Sequence, residues 1–198
     1  IYEASIKMLK NYFVRAVATL ATAVCVAFLA PSATALSGTV IDIEAGDTGT
    51  CVVKSNGTVW CIGGNEYGQL GDGSTTDRES FVKVQGLPPS KQVSLGYYHA
   101  CALDKSARVW CWGRNNSGQL GRGNLVPSTR PILVALPGRA VSLAAGRYHT
   151  CVVLANGKVA CWGDNADGQL GDGTRTQRKK PVLVMAKGIA SQVDAGAS

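Results

Sequence analysis

The chain has 198 residues, 45% of them hydrophobic and 17% charged, with 24 glycines, which is globular composition enriched in turn-formers and excludes strongly biased chain types. After residue 35 there are no long stripes of 3.6-residue period and no helix caps, so a helical body is excluded and short apolar runs punctuated by Gly and Asn-Gly read as all-β. The net charge of +7 is modest, explained by solubility as well as by an acidic partner.

Residues 1–35 differ from the rest. Lys7, Lys10 and Arg15 accompany an apolar run from Ala16 to Ala30, which contains Cys25, and Ala33-Thr34-Ala35 places small residues before Leu36. This is the layout of a secretory signal helix, with Met8 as a possible true start. The run is about 15 residues, short of the roughly 20 needed to cross a bilayer, and no basic stop follows it. A secreted or cell-surface product with no membrane segment after cleavage is expected, with a net charge of about +5. Export and that modest charge together oppose a nucleic-acid partner.

Beyond the leader, Leu36 to Glu44 can pair as a strand. The stretch from Cys51 to Gly73, CVVKSNGTVWCIGGNEYGQLGDG, then returns from Cys101 and from Cys151 at an offset of 50 residues without a gap. A fixed period of this size means a repeat architecture. The leading strand is 36–45, the units are 46–95, 96–145 and 146–195, and 196–198 opens a fourth, so the chain reads as a fragment of a longer protein.

Within unit one, Cys51 to Lys54 and Thr58 to Ile62 flank Ser55-Asn56-Gly57, a hairpin pattern. A two-residue loop turns the two cysteines to opposite faces. A three-residue loop with Gly57 in the left-handed region sets Cys51 opposite Cys61, and the same ten-residue spacing at Cys101/Cys111 and Cys151/Cys161 favours it. In unit two, Ala107 takes the glycine position, so that hairpin is expected to be strained or to use another turn. Glycines at fixed phase and the pegs Leu70, Leu120 and Leu170 follow. Next come segments that share little sequence, 74–80, 124–130 and 174–180, and then third strands at Phe81–Val84, Pro131–Val134 and Pro181–Val184. A fourth short strand, around Val93, Leu143 and Val193, is read as the last of each unit. Four short antiparallel strands in about 50 residues make one propeller blade.

Tyr98-His99-Ala100-Cys101-Ala102-Leu103, then Val109-Trp110-Cys111-Trp112-Gly113, Asn115 and Gly118-Gln119-Leu120-Gly121 resemble the regulator of chromosome condensation repeat family. Tyr148 to Gly171 is similar, and unit one departs from the pattern, with Asp47-Thr48-Gly49 replacing the aromatic-His pair. The resemblance covers about residues 39–198. It implies a seven-bladed β-propeller, of which three blades supply an open arc. The family includes a chromatin-bound nucleotide exchange factor for a small GTPase, plant photoreceptors and a secreted bacterial β-lactamase inhibitor. No exchange-factor residue carries over, because the matching positions here are scaffold positions.

In an exported protein the six cysteines after the leader read as three disulfides, Cys51–Cys61, Cys101–Cys111 and Cys151–Cys161, with reduced cysteines packed as small apolar groups as the alternative. Recurrence makes His99 and His149 scaffold residues. Asp72 and Asp172 share their place with Arg122, which argues against a repeated metal site, and in Asp164 to Gly168 the residues Ala166 and Gly168 stand where a calcium loop needs oxygen ligands. No catalytic set, cofactor or metal is expected. Trp60, Trp110, Trp112 and Trp162 read mostly as inter-blade core. The expected function is an exported, non-catalytic module that binds a protein or glycan through loops at one edge of adjacent blades. Thr75, Asp77, Arg78, Leu125, Arg130, Arg175, Arg178, Lys179 and Lys180 are the candidate contacts. The alternatives are part of a larger extracellular enzyme and, inside the cell, a GTPase exchange-factor-like regulator.

Overall fold

The computed structural model describes residues 37–196. The leader helix read over 1–35 and the last two residues of 196–198 lie outside that range. The described residues form twelve strands and no helix. They pair antiparallel into three four-stranded sheets: β1 (Val40–Ala45), β2 (Gly49–Lys54), β3 (Val59–Gly63) and β4 (Arg78–Lys83); β5 (Ser90–Leu95), β6 (His99–Asp104), β7 (Val109–Gly113) and β8 (Ser128–Leu133); and β9 (Ala140–Ala145), β10 (His149–Leu154), β11 (Val159–Gly163) and β12 (Arg178–Leu183). Strand order within each sheet follows the chain. The sheets stand as blades, with first strands β1, β5 and β9 side by side and fourth strands on the outer edge.

The strand expected to close each unit instead opens the next sheet. β1 meets β2 across a three-residue turn, with Ala45 opposite Thr50, and β5 meets β6 in the same way, with Leu95 opposite Ala100. A tight turn holds antiparallel neighbours together, whereas the link from β4 to β5 carries Pro88-Pro89 and crosses between blades. The third-strand expectation is also corrected: these strands start earlier, at Arg78, Ser128 and Arg178. Pro131 and Pro181 therefore sit inside β8 and β12, which is tolerated because these are outer-edge strands and the register slips beside each proline.

The hairpins take the three-residue form. Cys51 faces Cys61, Cys101 faces Cys111 and Cys151 faces Cys161, and each pair is disulfide-bonded with Cα atoms 4.1 Å apart. Gly57 and Gly157 have φ of 86° and 78°, and Ala107 is forced into the same region at 64°. The Ala107 turn is held from below by Asp104, whose Oδ1 accepts the Ser106 and Arg108 N–H groups (2.8 and 2.9 Å) and whose Oδ2 accepts Arg108 Nε (2.8 Å) and Trp110 Nε1 (3.0 Å). In the other two hairpins Asn56 and Asn156 make the equivalent turn bond, to Thr58 and Lys158 N–H.

The core lies between blades. The disulfide face of blade one, with Cys51, Val53, Val59, Cys61 and Leu70, packs against Val93, Ala100, Ala102 and Trp112 of blade two. Blade two presents Cys101, Leu103, Cys111 and Leu120 to Leu143, Val152, Ala160 and Trp162 of blade three in the same way. Burial on both faces is why β6 and β10 are covered at all six residues. Trp112 and Trp162 are fully buried and donate Nε1 to the Gln69 and Gln119 carbonyls of the preceding blade (2.8 and 2.7 Å). Trp60 and Trp110 are half-buried and carry Lys54 and Arg108 over their rings, so two of the four tryptophans, not most, form inter-blade core.

Candidate functional site

At one end of the arc each blade brings two pieces of chain together: the turn between its first and second strands, and the segment that leaves its third. They are tied by the Gly64, Arg114 and Asp164 N–H groups, which donate to the Thr48, Tyr98 and Tyr148 carbonyls (2.7, 2.8 and 2.9 Å). One buried asparagine shapes each segment. Asn65, Asn115 and Asn165 accept the N–H of Leu70, Leu120 and Leu170 at Oδ1 (2.9, 3.0 and 3.0 Å). Their Nδ2 groups donate to the carbonyls of Ser74 and Thr76, of Asn124 and Val126, and of Thr174 and Thr176.

That scaffold places the loop residues singled out from sequence. Arg78 and Arg178 are pinned to Asp72 and Asp172, each at 2.6 Å, six residues back in the same blade. Asp77 accepts the Asn65 N–H at 2.7 Å. These three hold their own loops. Partial burial works against the Asp72 carboxylate, but hydrogen bonds from Ser74 and Arg78 keep it below the usual range. Asp172 is likewise low, first through Thr174 and, against the cost of burial, through Arg178. Arg130 and Lys180 lie across the seam over Gly73 and Gly123 of the preceding blade. The neighbouring backbone seals the same seam, with Gly73 N–H donating to Thr129 O and Gly123 N–H to Lys179 O (3.1 and 2.8 Å). Thr75, Leu125, Arg175, Lys179 and Lys180 are exposed.

Nearer the inner edge, residues of all three blades meet in a cluster of aromatic rings and guanidinium groups. Tyr97 and Tyr98 come from the β5–β6 turn, Arg147 and Tyr148 from the β9–β10 turn, and Tyr67 and Arg114 from the segments after β3 and β7. Ring centroids are 4.8 Å apart for Tyr67–Tyr98, 4.0 Å for Tyr97–Tyr98 and 5.8 Å for the edge-on Tyr97–Tyr148 pair. Arg114 lies 5.1, 5.7 and 5.6 Å from the rings of Tyr67, Tyr98 and Tyr148, and Arg147 lies 4.9 and 5.3 Å from those of Tyr97 and Tyr148. The turns are laced blade to blade, Tyr97 N–H donating to Arg147 O and Arg147 N–H to Gly196 O (3.2 and 3.3 Å). The Tyr98 phenol is pushed up to about 12, first by its hydrogen bond to Tyr97 and then by desolvation, and stays a neutral donor.

Sequence reasoning took Tyr98 and Tyr148 only as parts of a motif and passed over the others. A pattern was there to find. Positions 64, 67 and 97 correspond across units to Gly-Arg-Asp, Tyr-Ser-Asp and Asp-Tyr-Arg, varying inside an otherwise repeated frame.

The histidines lie beneath this end, in the seams. His99 is fully buried, with Nε2 3.0 Å from Thr150 Oγ1, whose hydroxyl donates to Gln119 O at 3.1 Å. Thr150 spends its proton on that carbonyl, so His99 donates from Nε2, and its buried Nδ1 has no partner. Burial, aided by the charge of His149, pushes His99 down to about 3, and burial also lowers His149 against the pull of Asp164. Gly96 lies so close over the His99 ring that any Cβ there meets Cε1. Among the described residues no three His, Cys, Asp or Glu side chains converge to hold a metal, and no helix is long and apolar enough to cross a membrane.

Radial four-stranded blades with a two-faced inter-blade core and side chains gathered at one end of the arc define a β-propeller scaffold with an end face. Models of the regulator of chromosome condensation (RCC1) repeat match residues 56–103, 106–153 and 156–198, and a second model of the repeat matches 40–69, 91–119 and 140–169. The chain belongs to that family. A search of curated protein sequences finds no match. Among solved structures, human WBSCR16 is similar, with a TM-score of 0.72 and 23% identity over 79% of this chain and 42% of that one. Yeast RCC1 (Prp20), solved bound to Kap60, gives 0.68 and 24% over 81% of this chain and 40% of that one. Prp20p from Saccharomyces cerevisiae, described with its binding to Gsp1p and histones, gives 0.63 and 18% over 73% and 38%. The chain thus spans about two fifths of the length of these structures.

Proposed function

We propose that the protein is an exported, non-catalytic interaction module that holds a protein partner on the end of the arc bearing the β1–β2, β5–β6 and β9–β10 turns. The observation that carries this reading is the cluster of four tyrosines and two arginines, drawn from three blades. Tyr and Arg are the residues in which binding energy concentrates, because they offer large rigid area and directed donors at low entropic cost. The exposed loop residues Thr75, Leu125 and Arg175 differ from blade to blade. Similar yeast propellers have been studied with Kap60, Gsp1p and histones, so protein binding has a precedent on this fold. Three disulfides support an oxidising compartment and hence export.

Photo-crosslinking tests the face. A photoreactive residue at position 98 yields protein adducts from the extracytoplasmic milieu, and one at Ser55, on the hairpin tip at the opposite end, does not. Equal labelling at both positions sinks the assignment. Recovery of the chain from cytoplasm with reduced cysteines sinks export and favours an intracellular regulator.

A further inference from the structure

Resting on the reading of this end as a protein-binding face, we infer that the segment it takes is acidic and seats a carboxylate on Arg114 and Arg147. Both guanidinium groups approach the Tyr148 ring, at 5.6 and 5.3 Å from its centroid, so two like charges stand at one ring. Among the described residues neither side chain has an ion pair or a hydrogen-bond partner, and Arg114 Nε is buried without one. Arg78, Arg108 and Arg178, by contrast, each have an aspartate. The cluster therefore carries two cations without an ion-pair partner among the described residues, and an anion beside them is attracted to both. The tyrosine rings flank both guanidinium groups, and a guanidinium can give a carboxylate paired hydrogen bonds.

The surroundings limit what kind of anion fits. Exposed Asp47, Glu66 and Asp167 stand on the neighbouring turns and segments, so the positive charge is local. A continuous polyanion, whether nucleic acid or sulfated glycan, runs into that acidic rim. A single Asp or Glu side chain flanked by apolar residues does not, and its neighbours lie on the tyrosine rings. The partner element is thus a short protein segment with an isolated acid between apolar side chains.

The test uses the full chain with its disulfides formed. Binders are selected from a random dodecapeptide library, and the selected peptides are titrated by fluorescence anisotropy against wild type, R114Q, R147Q, R114K and Y97A, with thermal melts confirming that each variant folds. The expected result is enrichment of Asp or Glu, a roughly tenfold or greater loss of affinity for each Arg→Gln variant, and an equal loss when the peptide acid becomes its amide. R114K recovers only part, since an ammonium lacks the fork. Neutral peptides whose binding survives R114Q and R147Q but fails in Y97A overturn the acidic partner and leave the protein-binding face standing. Binders indifferent to every variant overturn both. An oligogalacturonate that binds this end more tightly than the peptides also overturns the proposal.

Discussion

The hairpin between β6 and β7 offers a direct measure of local strain against local clamping. Ala107 has φ of 64° where its counterparts are glycine. A left-handed L-residue costs about 1–2 kcal/mol, and glycine loses about 0.5–1 kcal/mol of backbone entropy relative to alanine. Ala107→Gly is therefore expected to stabilise by about 0.5–1 kcal/mol. Asp104, buried and accepting four hydrogen bonds, is the opposing clamp. Charge-assisted hydrogen bonds contribute about 1.5–3 kcal/mol each, but water can replace the exposed turn partners, so Asp104→Ala is expected to cost about 2–4 kcal/mol. The two effects share one turn and should not add. With the strain already released by Ala107→Gly, the loss at position 104 shrinks by about 0.5–1 kcal/mol. Urea unfolding followed by tryptophan fluorescence on the four members of the cycle reads all three quantities. An Ala107→Gly variant less stable than the parent, or a cycle that closes additively, would refute the account of the turn.

Acid should weaken the seams before it reaches any carboxylate. His99 is held to about 3 against an ordinary 6.5, so the unfolded chain binds the extra proton between those values. The stability it contributes is complete above pH 6.5 and falls away below, by about 2 kcal/mol between pH 7 and 5. His99→Gln flattens that slope in paired urea titrations, leaving the smaller part due to His149, lowered in the same sense. The depressed Asp72, Asp104 and Asp172 add a second loss only below 3.8. Replacing both Cys101 and Cys111 by alanine opens a short loop and should cost about 2–3 kcal/mol in a denaturant midpoint assay. Asn115→Asp keeps the acceptor for Leu120 but turns an oxygen toward the Asn124 and Val126 carbonyls. It should destabilise by about 2–4 kcal/mol and speed amide exchange across 120–127, and protection equal to wild type there would show the asparagine to be dispensable.

Several features could be read from residues alone because they are local. The 50-residue period fixes the number of blades in this stretch, and the Ser55-Asn56-Gly57 loop fixes which cysteines face each other, since one residue more or less in a hairpin reverses every side chain beyond it. Ala107 revealed its own strain by standing where glycine stands twice. Sequence reasoning missed the pairing of Arg78 with Asp72, reading Arg78 as a partner contact, although its signal was present: Asp and Arg occur together at these positions in units one and three and are Arg122 and Ser128 in unit two, where no such ion pair forms among the described residues.

Other features depend on distance in space. Which sheet receives the strand at 90–95 is settled by competition between a three-residue turn ahead of it and a proline-bearing crossing behind it. The period alone is silent on that choice, because it is the same for either cut. The Tyr–Arg cluster gathers positions 67, 97, 98, 114, 147 and 148, each unremarkable in its own unit. The packing of blade on blade, with Trp112 and Trp162 buried against the preceding blades, brings three separate turns within reach of one another. Residue order is enough to specify a blade; the Tyr–Arg cluster exists only in three dimensions, because side chains from different blades meet only after the inter-blade core has formed.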